Sequence, residues 1–143
     1  MHTIHTHVDI DAPAHRVWQV LTDFGAYGQW NPFIVSITGT PEVDSVLENV
    51  IVNHGATMRF RARVRAAVPG RELRWSGRLW VRGLLDGEHS FTIEETGPGS
   101  VRLTQAETFT GALVAVPLLR RKLDAHDAFV AMNTALKQRA EQQ

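Results

Sequence analysis

Between Phe33 and Phe109 the sequence never sustains a helical period. Short runs alternate apolar and polar residues and are separated by the turn-rich stretches TPEVDS, NHGA, PG, GLLDG and TGPGS. Alternation at a period of two turns one face of each run toward a core, and clusters of Gly, Pro, Asn and Asp reverse the chain between runs. The pattern predicts an antiparallel meander of about six strands. Such a sheet has one face to cover, and the flanking segments must supply the cover.

Both flanks carry the required signals. Residues 2–10 alternate with Ile4, Val8 and Ile10 on one side, which predicts a first strand. Pro13 suits a first helical position, with Asp11 near the free amides, and Val17, Val20, Leu21 and Phe24 share a face, so a short helix is expected over 13–24. Gly25 and Gly28 end it, and YGQWNPF from Tyr27 to Phe33 reads as a turn or a second short helix. Leu119, Leu123, Phe129, Val130, Met132 and Leu136 recur at three- and four-residue steps, which predicts one long C-terminal helix over 116–139.

At 143 residues the chain has the size of one domain, and residues 1–143 are expected to form one. It has no cysteine, which excludes thiol catalysis, disulfides and cysteine-ligated metals. Its 15 basic and 15 acidic residues cancel, so no global field draws it to nucleic acid or to an anionic membrane. No run has the length of a membrane span, and MHTIHTHVDID lacks the basic start and apolar block of a signal peptide. A cytoplasmic protein without stable membrane insertion is the expectation; oligomeric state is not readable from the sequence.

Strand parity can be carried further, because paired strands must oppose inward residues to inward residues. With a turn at Pro69-Gly70, Val64 faces Trp75 and Ala62 faces Gly77, while Arg65 is set opposite Arg74 on the outer face. With a turn at Gly97-Pro98-Gly99 and Glu95 opposite Val101, Ile93 meets Leu103, Phe91 meets Gln105 and His89 meets Glu107. Opposed side chains have β-carbons about 4.5–5.5 Å apart, within reach of direct hydrogen bonding between imidazole and carboxylate. A turn at His54-Gly55 sends Leu47, Asn49 and Ile51 inward.

The covered face is therefore mostly apolar but carries Asn49, His89, Gln105 and Glu107. Buried polar groups must pair or meet a ligand, because leaving them bare costs several kcal/mol, on the order of 2–7, in an apolar medium. A solid hydrocarbon core has no use for them, whereas a small-molecule cavity with a few polar anchors does. The apolar lining expected for it draws on Phe24, Trp30, Phe33 and Phe60, and on Trp75, Phe91, Phe129 and Met132.

Four stretches resemble one known superfamily: IDAPAHRVWQVLTDFGAYGQWNPF from Ile10 to Phe33, GEHSF from Gly87 to Phe91, QAETFTG from Gln105 to Gly111, and the helix ending FVAMNTALKQRAE. Together they make nearly the whole chain similar to the START-like (SRPBCC) proteins, especially the polyketide cyclase/dehydratase and lipid-transport branch. The resemblance implies an α+β helix-grip fold. In it a curved seven-stranded antiparallel sheet wraps a long C-terminal helix, and two short helices after strand one help close a deep apolar cavity. It also implies a small hydrophobic ligand, lipid-like, aromatic or polyketide-like, and leaves carrier and enzyme both open.

For His89 and Glu107 three readings stand side by side: acid/base catalysis on a bound carbonyl compound, anchoring of a ligand, and a pair that satisfies itself. Ser76 and Ser90 fall on the outer face, which counts against a serine hydrolase. No metal is expected: His2, His5 and His7 cluster at a terminus without a ligand motif, and no cofactor is required. Arg59, Arg61, Arg63, Arg65, Arg74 and Arg78 form a ladder on the outer face. It reads as a solvated surface that discourages sheet-to-sheet association, with docking of a protein partner beside Trp80 as the alternative and nucleic-acid binding disfavoured.

Overall fold

A computed structural model describes residues 1–79 and 83–142, and for Leu79, Arg120 and Lys122 the backbone alone. Trp80 lies outside the described residues. The elements are β1 (His2–Ile10), α1 (Ala14–Thr22), a 3-10 segment (Phe24–Gln29), β2 (Ile34–Thr38), β3 (Val46–Asn53), β4 (Ala56–Val68), β5 (Glu72–Leu79), β6 (Leu85–Gly97), β7 (Ser100–Thr110), a 3-10 turn (Ala112–Ala115), α2 (Pro117–Leu123) and α3 (His126–Glu141). The strands form one antiparallel sheet in the order β1-β7-β6-β5-β4-β3-β2, curved around α3, so the seven-stranded helix-grip architecture is present. No helix among the described residues is long and apolar enough to cross a membrane.

The hairpins keep the registers that parity requires. Val64 pairs with Trp75 and Ala62 with Gly77, while β6 and β7 oppose Ile93 to Leu103, Phe91 to Gln105 and His89 to Glu107. The pairing of Arg65 with Arg74 does not occur. A bulge after Val64 leaves Arg65 unpaired and places Ala66 opposite Arg74, which relieves the like-charge contact. The Arg65 Nε instead donates to Ser76 Oγ at 2.7 Å.

The C-terminal segment is two helices rather than one. Asp124 and Ala125 break it, with Ala125 at φ −123° and ψ 22°, and the Asp124 carboxylate accepts from the His126 N–H at 3.2 Å. The break also frees the Asp124 carbonyl to accept from His54 Nε2 at 2.7 Å and Asn53 Nδ2 at 3.3 Å, both at the β3–β4 turn. From there α3 lays Phe129, Met132, Asn133, Leu136 and Ala140 against the sheet. Its far end is held by Arg16 of α1, whose guanidinium donates to the carbonyls of Arg139, Ala140 and Gln142, the end of a helix where a cation is favoured.

Candidate functional site

Between the concave sheet and α3 lies a cavity of about 430 Å³. Phe33, Ile51, Phe60, Trp75, Phe109 and Phe129 give it an aromatic and aliphatic wall, and His89 and Glu107 add a polar end. It reaches the surface where the β3–β4 turn meets the α2–α3 break, beside Asn53, His54, Leu123 and Ala125. The 3-10 turn and α2 roof that region through a small separate core of Leu85, Val114 and Leu123, with Phe109 and Leu119 against it.

The pairing of β6 with β7 places His89 Nδ1 2.8 Å from Glu107 Oε2. The His89 side chain is only 5% exposed and that of Glu107 17%, so the carboxylate is the member with surface left toward the cavity. The imidazole is boxed by aromatic rings: Trp75 stacks on it at 5.2 Å between centroids, Phe91 lies at 4.8 Å and Phe129 at 5.0 Å. Its Nε2 is 2.8 Å from Gln105 Oε1.

Behind His89 a buried hydrogen-bond chain joins three elements, and its direction is fixed. The backbone carbonyl of Gln105 can only accept, so the Thr6 hydroxyl donates to it at 3.0 Å. Thr6 Oγ1 then accepts from Asn133 Nδ2 at 2.9 Å, which turns Asn133 Oδ1 toward Gln105 Nε2 at 2.7 Å. The same Nε2 points at the carbonyl of Phe129 at 3.5 Å, an independent acceptor. Gln105 must therefore present its amide oxygen to the imidazole, and His89 Nε2 must carry a hydrogen.

Of the twelve side chains the sequence proposed for a site, Phe33, Phe60, Trp75, His89, Glu107 and Phe129 lie on the cavity wall. The other six do not. Phe24 and Trp30 instead pack edge-on against Tyr27, at 5.6 and 5.2 Å between centroids, in and just after the first 3-10 segment. Phe91 and Met132 face the right way but are wholly buried beyond the wall. Gln105 is covered by His89, Asn133 and Phe129. Asn49 is buried opposite Phe60, and neither atom of its amide has a hydrogen-bond partner among the described residues.

Gly87 and Phe109 were missed as wall residues although they share the inward parity of His89 and Glu107. Asn53 likewise continues the inward parity of Leu47, Asn49 and Ile51, whereas Leu123, Ala125 and His54 had no such signal, because they meet the cavity at a turn and at the break in the C-terminal helices. On the convex face, Arg61 pairs with Glu48 at 3.1 Å, and Arg74 lies 3.5 Å from both Glu72 and Glu88, so acids are interleaved with the arginine ladder. Among the described residues, no three His, Asp or Glu side chains converge as a metal site would need.

Residues 1–141 match the family described as Polyketide cyclase / dehydrase and lipid transport. The chain belongs to this family. No match was found among the curated proteins. Among solved structures, a START superfamily protein from Mycobacterium smegmatis superposes with a TM-score of 0.78 at 23% identity, covering 99% of each chain. An aromatase/cyclase from a Streptomyces species gives 0.77 at 16% identity over 98% of this chain and 93% of its own. Norcoclaurine synthase from Thalictrum flavum, solved with a transition-state analogue, gives 0.74 at 11% identity over 97% and 93%. At these identities the likeness establishes the shared fold.

Proposed function

We propose that the protein binds a small apolar molecule in the cavity between sheet and α3, as a carrier or receptor, with the His89–Glu107 pair orienting the guest. The observation that carries this reading is a 430 Å³ space whose wall is mostly aromatic and aliphatic, with a buried imidazole–carboxylate pair on it and Asn53, His54, Thr57 and Arg78 as its other polar lining residues. Apolar burial at about 25 cal/mol per Å² supplies the affinity, so a guest covering roughly 200 Å² of apolar surface gains on the order of 5 kcal/mol before the costs of association. The family's description supports a hydrophobic ligand and leaves its identity open.

Native mass spectrometry of freshly purified protein tests for a retained organic molecule. Titration with the apolar fluorophore N-phenyl-1-naphthylamine tests the site directly. Saturable binding of one equivalent, competed by other apolar molecules, is expected; a wild-type protein that binds neither this probe nor any naphthalene derivative would overturn the reading.

A second reading, a cofactor-free cyclase or dehydratase, is favoured by the position of the His89–Glu107 pair on the cavity wall, where Glu107 can take a proton from an enclosed polyketone-like substrate. Under that reading His89→Ala lowers turnover by roughly two to four orders of magnitude. A carrier keeps much of its ligand affinity in the same variant.

A further inference from the structure

We propose that the His89–Glu107 pair presents the guest with a hydrogen-bond acceptor and no donor, so that the protein selects apolar molecules bearing a hydroxyl or phenol over the matching ethers. This deepens the cavity-binding reading above and rests on it.

His89 Nε2 carries a hydrogen, because the chain from the Gln105 carbonyl through Thr6 and Asn133 turns the Gln105 amide oxygen toward it. A contact of 2.8 Å between His89 Nδ1 and Glu107 Oε2 needs one hydrogen between the two atoms. If it sits on Nδ1 the pair is imidazolium and carboxylate; if it sits on Oε2 the pair is neutral imidazole and carboxylic acid. In both states Oε1 of Glu107 bears no hydrogen. A proton on Oε1 instead would leave two lone pairs facing each other at 2.8 Å, an arrangement that forfeits the hydrogen bond and adds repulsion.

Oε1 is accordingly an acceptor whatever the charge state of the pair, and both nitrogens of His89 are already engaged with oxygens inside the protein. Among the described residues no group donates to Oε1. Gly87 keeps it uncovered: a Cβ on that residue would lie 3.6 Å from Oε1, so any longer side chain would stand in front of it. A guest that docks its polar atom there must donate. An ether or ketone would cover the oxygen without pairing it, and a carboxylate would add repulsion.

Isothermal titration of 2-naphthol and 2-methoxynaphthalene, matched in ring and differing in the donor, tests this with wild type, Glu107→Met and Glu107→Gln. Wild type should bind the naphthol roughly tenfold or more tightly, the scale of a hydrogen bond to a charged group. Glu107→Met should level the two affinities. In Glu107→Gln the amide N–H donates to Nδ1 of a neutral imidazole and the amide oxygen takes the place of Oε1, so the preference survives in reduced form. That isosteric variant keeps the test decisive should the Met variant melt early. Equal affinities in wild type, or a preference untouched in both variants, would overturn the acceptor assignment and leave the cavity reading standing. Failure of wild type to bind either naphthalene would overturn both.

Discussion

Asn133 of α3 donates to Thr6 of β1 at 2.9 Å across 127 residues of sequence, and in doing so it sets which atom of Gln105 faces His89. The helix is therefore fixed to the sheet by a buried polar contact as well as by packing. Asn133→Leu preserves shape and removes both ends of the contact, leaving Gln105 Nε2 with only the 3.5 Å Phe129 carbonyl. Urea denaturation should show a loss of about 1–3 kcal/mol, the usual penalty for stranding buried polar partners. A variant as stable as wild type would mean that the chain does not hold α3.

Gly87 faces the cavity, and a Cβ there meets Phe109 at 3.5 Å and Glu107 at 3.6 Å, ordinary contact distances. Gly87→Leu should thus fold and occupy the space meant for a guest. N-phenyl-1-naphthylamine affinity should fall at least about tenfold, a difference of 1.4 kcal/mol, while the far-ultraviolet circular dichroism stays unchanged. Undiminished affinity would place the binding elsewhere.

How much of this site could be read from sequence alone follows from what fixes each residue. His89 and Glu107 were legible because the Gly97-Pro98-Gly99 turn sets the count along two continuous strands, and the observed pairing is the predicted one. The Arg65 bulge was not, since an extra residue leaves no mark on a run that alternates on both sides of it. The break at Asp124 and Ala125 escaped the helical period because its partners, Asn53 and His54, lie about 70 residues away in sequence. Parity also could not separate Phe129 on the wall from Met132 behind it. Both face the sheet, and only the stand-off of α3 decides which one meets open space.

Gly111 joins β7 to the roof of the cavity at φ 114° and ψ 171°, a backbone region essentially reserved for glycine. A Cβ there would sit 2.5 Å from the Leu84 carbonyl oxygen, the acceptor that holds Leu113 N–H. Gly111→Ala should cost at least about 1–3 kcal/mol. Hydrogen exchange should accelerate first at residues 112–116; uniform acceleration over the whole sheet would contradict a role confined to the roof.

Tyr27 is the only tyrosine, fully buried with its hydroxyl donating to the Leu21 carbonyl. Burial, and secondarily the Asp23 charge, pushes its pKa far above the ordinary 10.0. The folded chain holds this proton where the unfolded chain would release it. Stability on this account is intact below pH 10.0 and declines as pH rises beyond it. The phenolate absorbance near ~295 nm should therefore appear together with unfolding monitored by circular dichroism. A phenolate that forms in the still-folded protein would show that the hydroxyl is accessible.

The central claim, a guest held between the curved sheet and α3 with its polar atom at Glu107, is tested most directly by isotope-filtered NMR of the labelled protein with unlabelled 2-naphthol. Ring protons of the naphthol should show nuclear Overhauser contacts to Phe33, Phe60, Trp75 and Phe129, and its hydroxyl end should lie nearest Gly87 and Glu107. Contacts confined to the arginine-bearing convex face, or to exposed side chains such as Leu118 of α2, would contradict it.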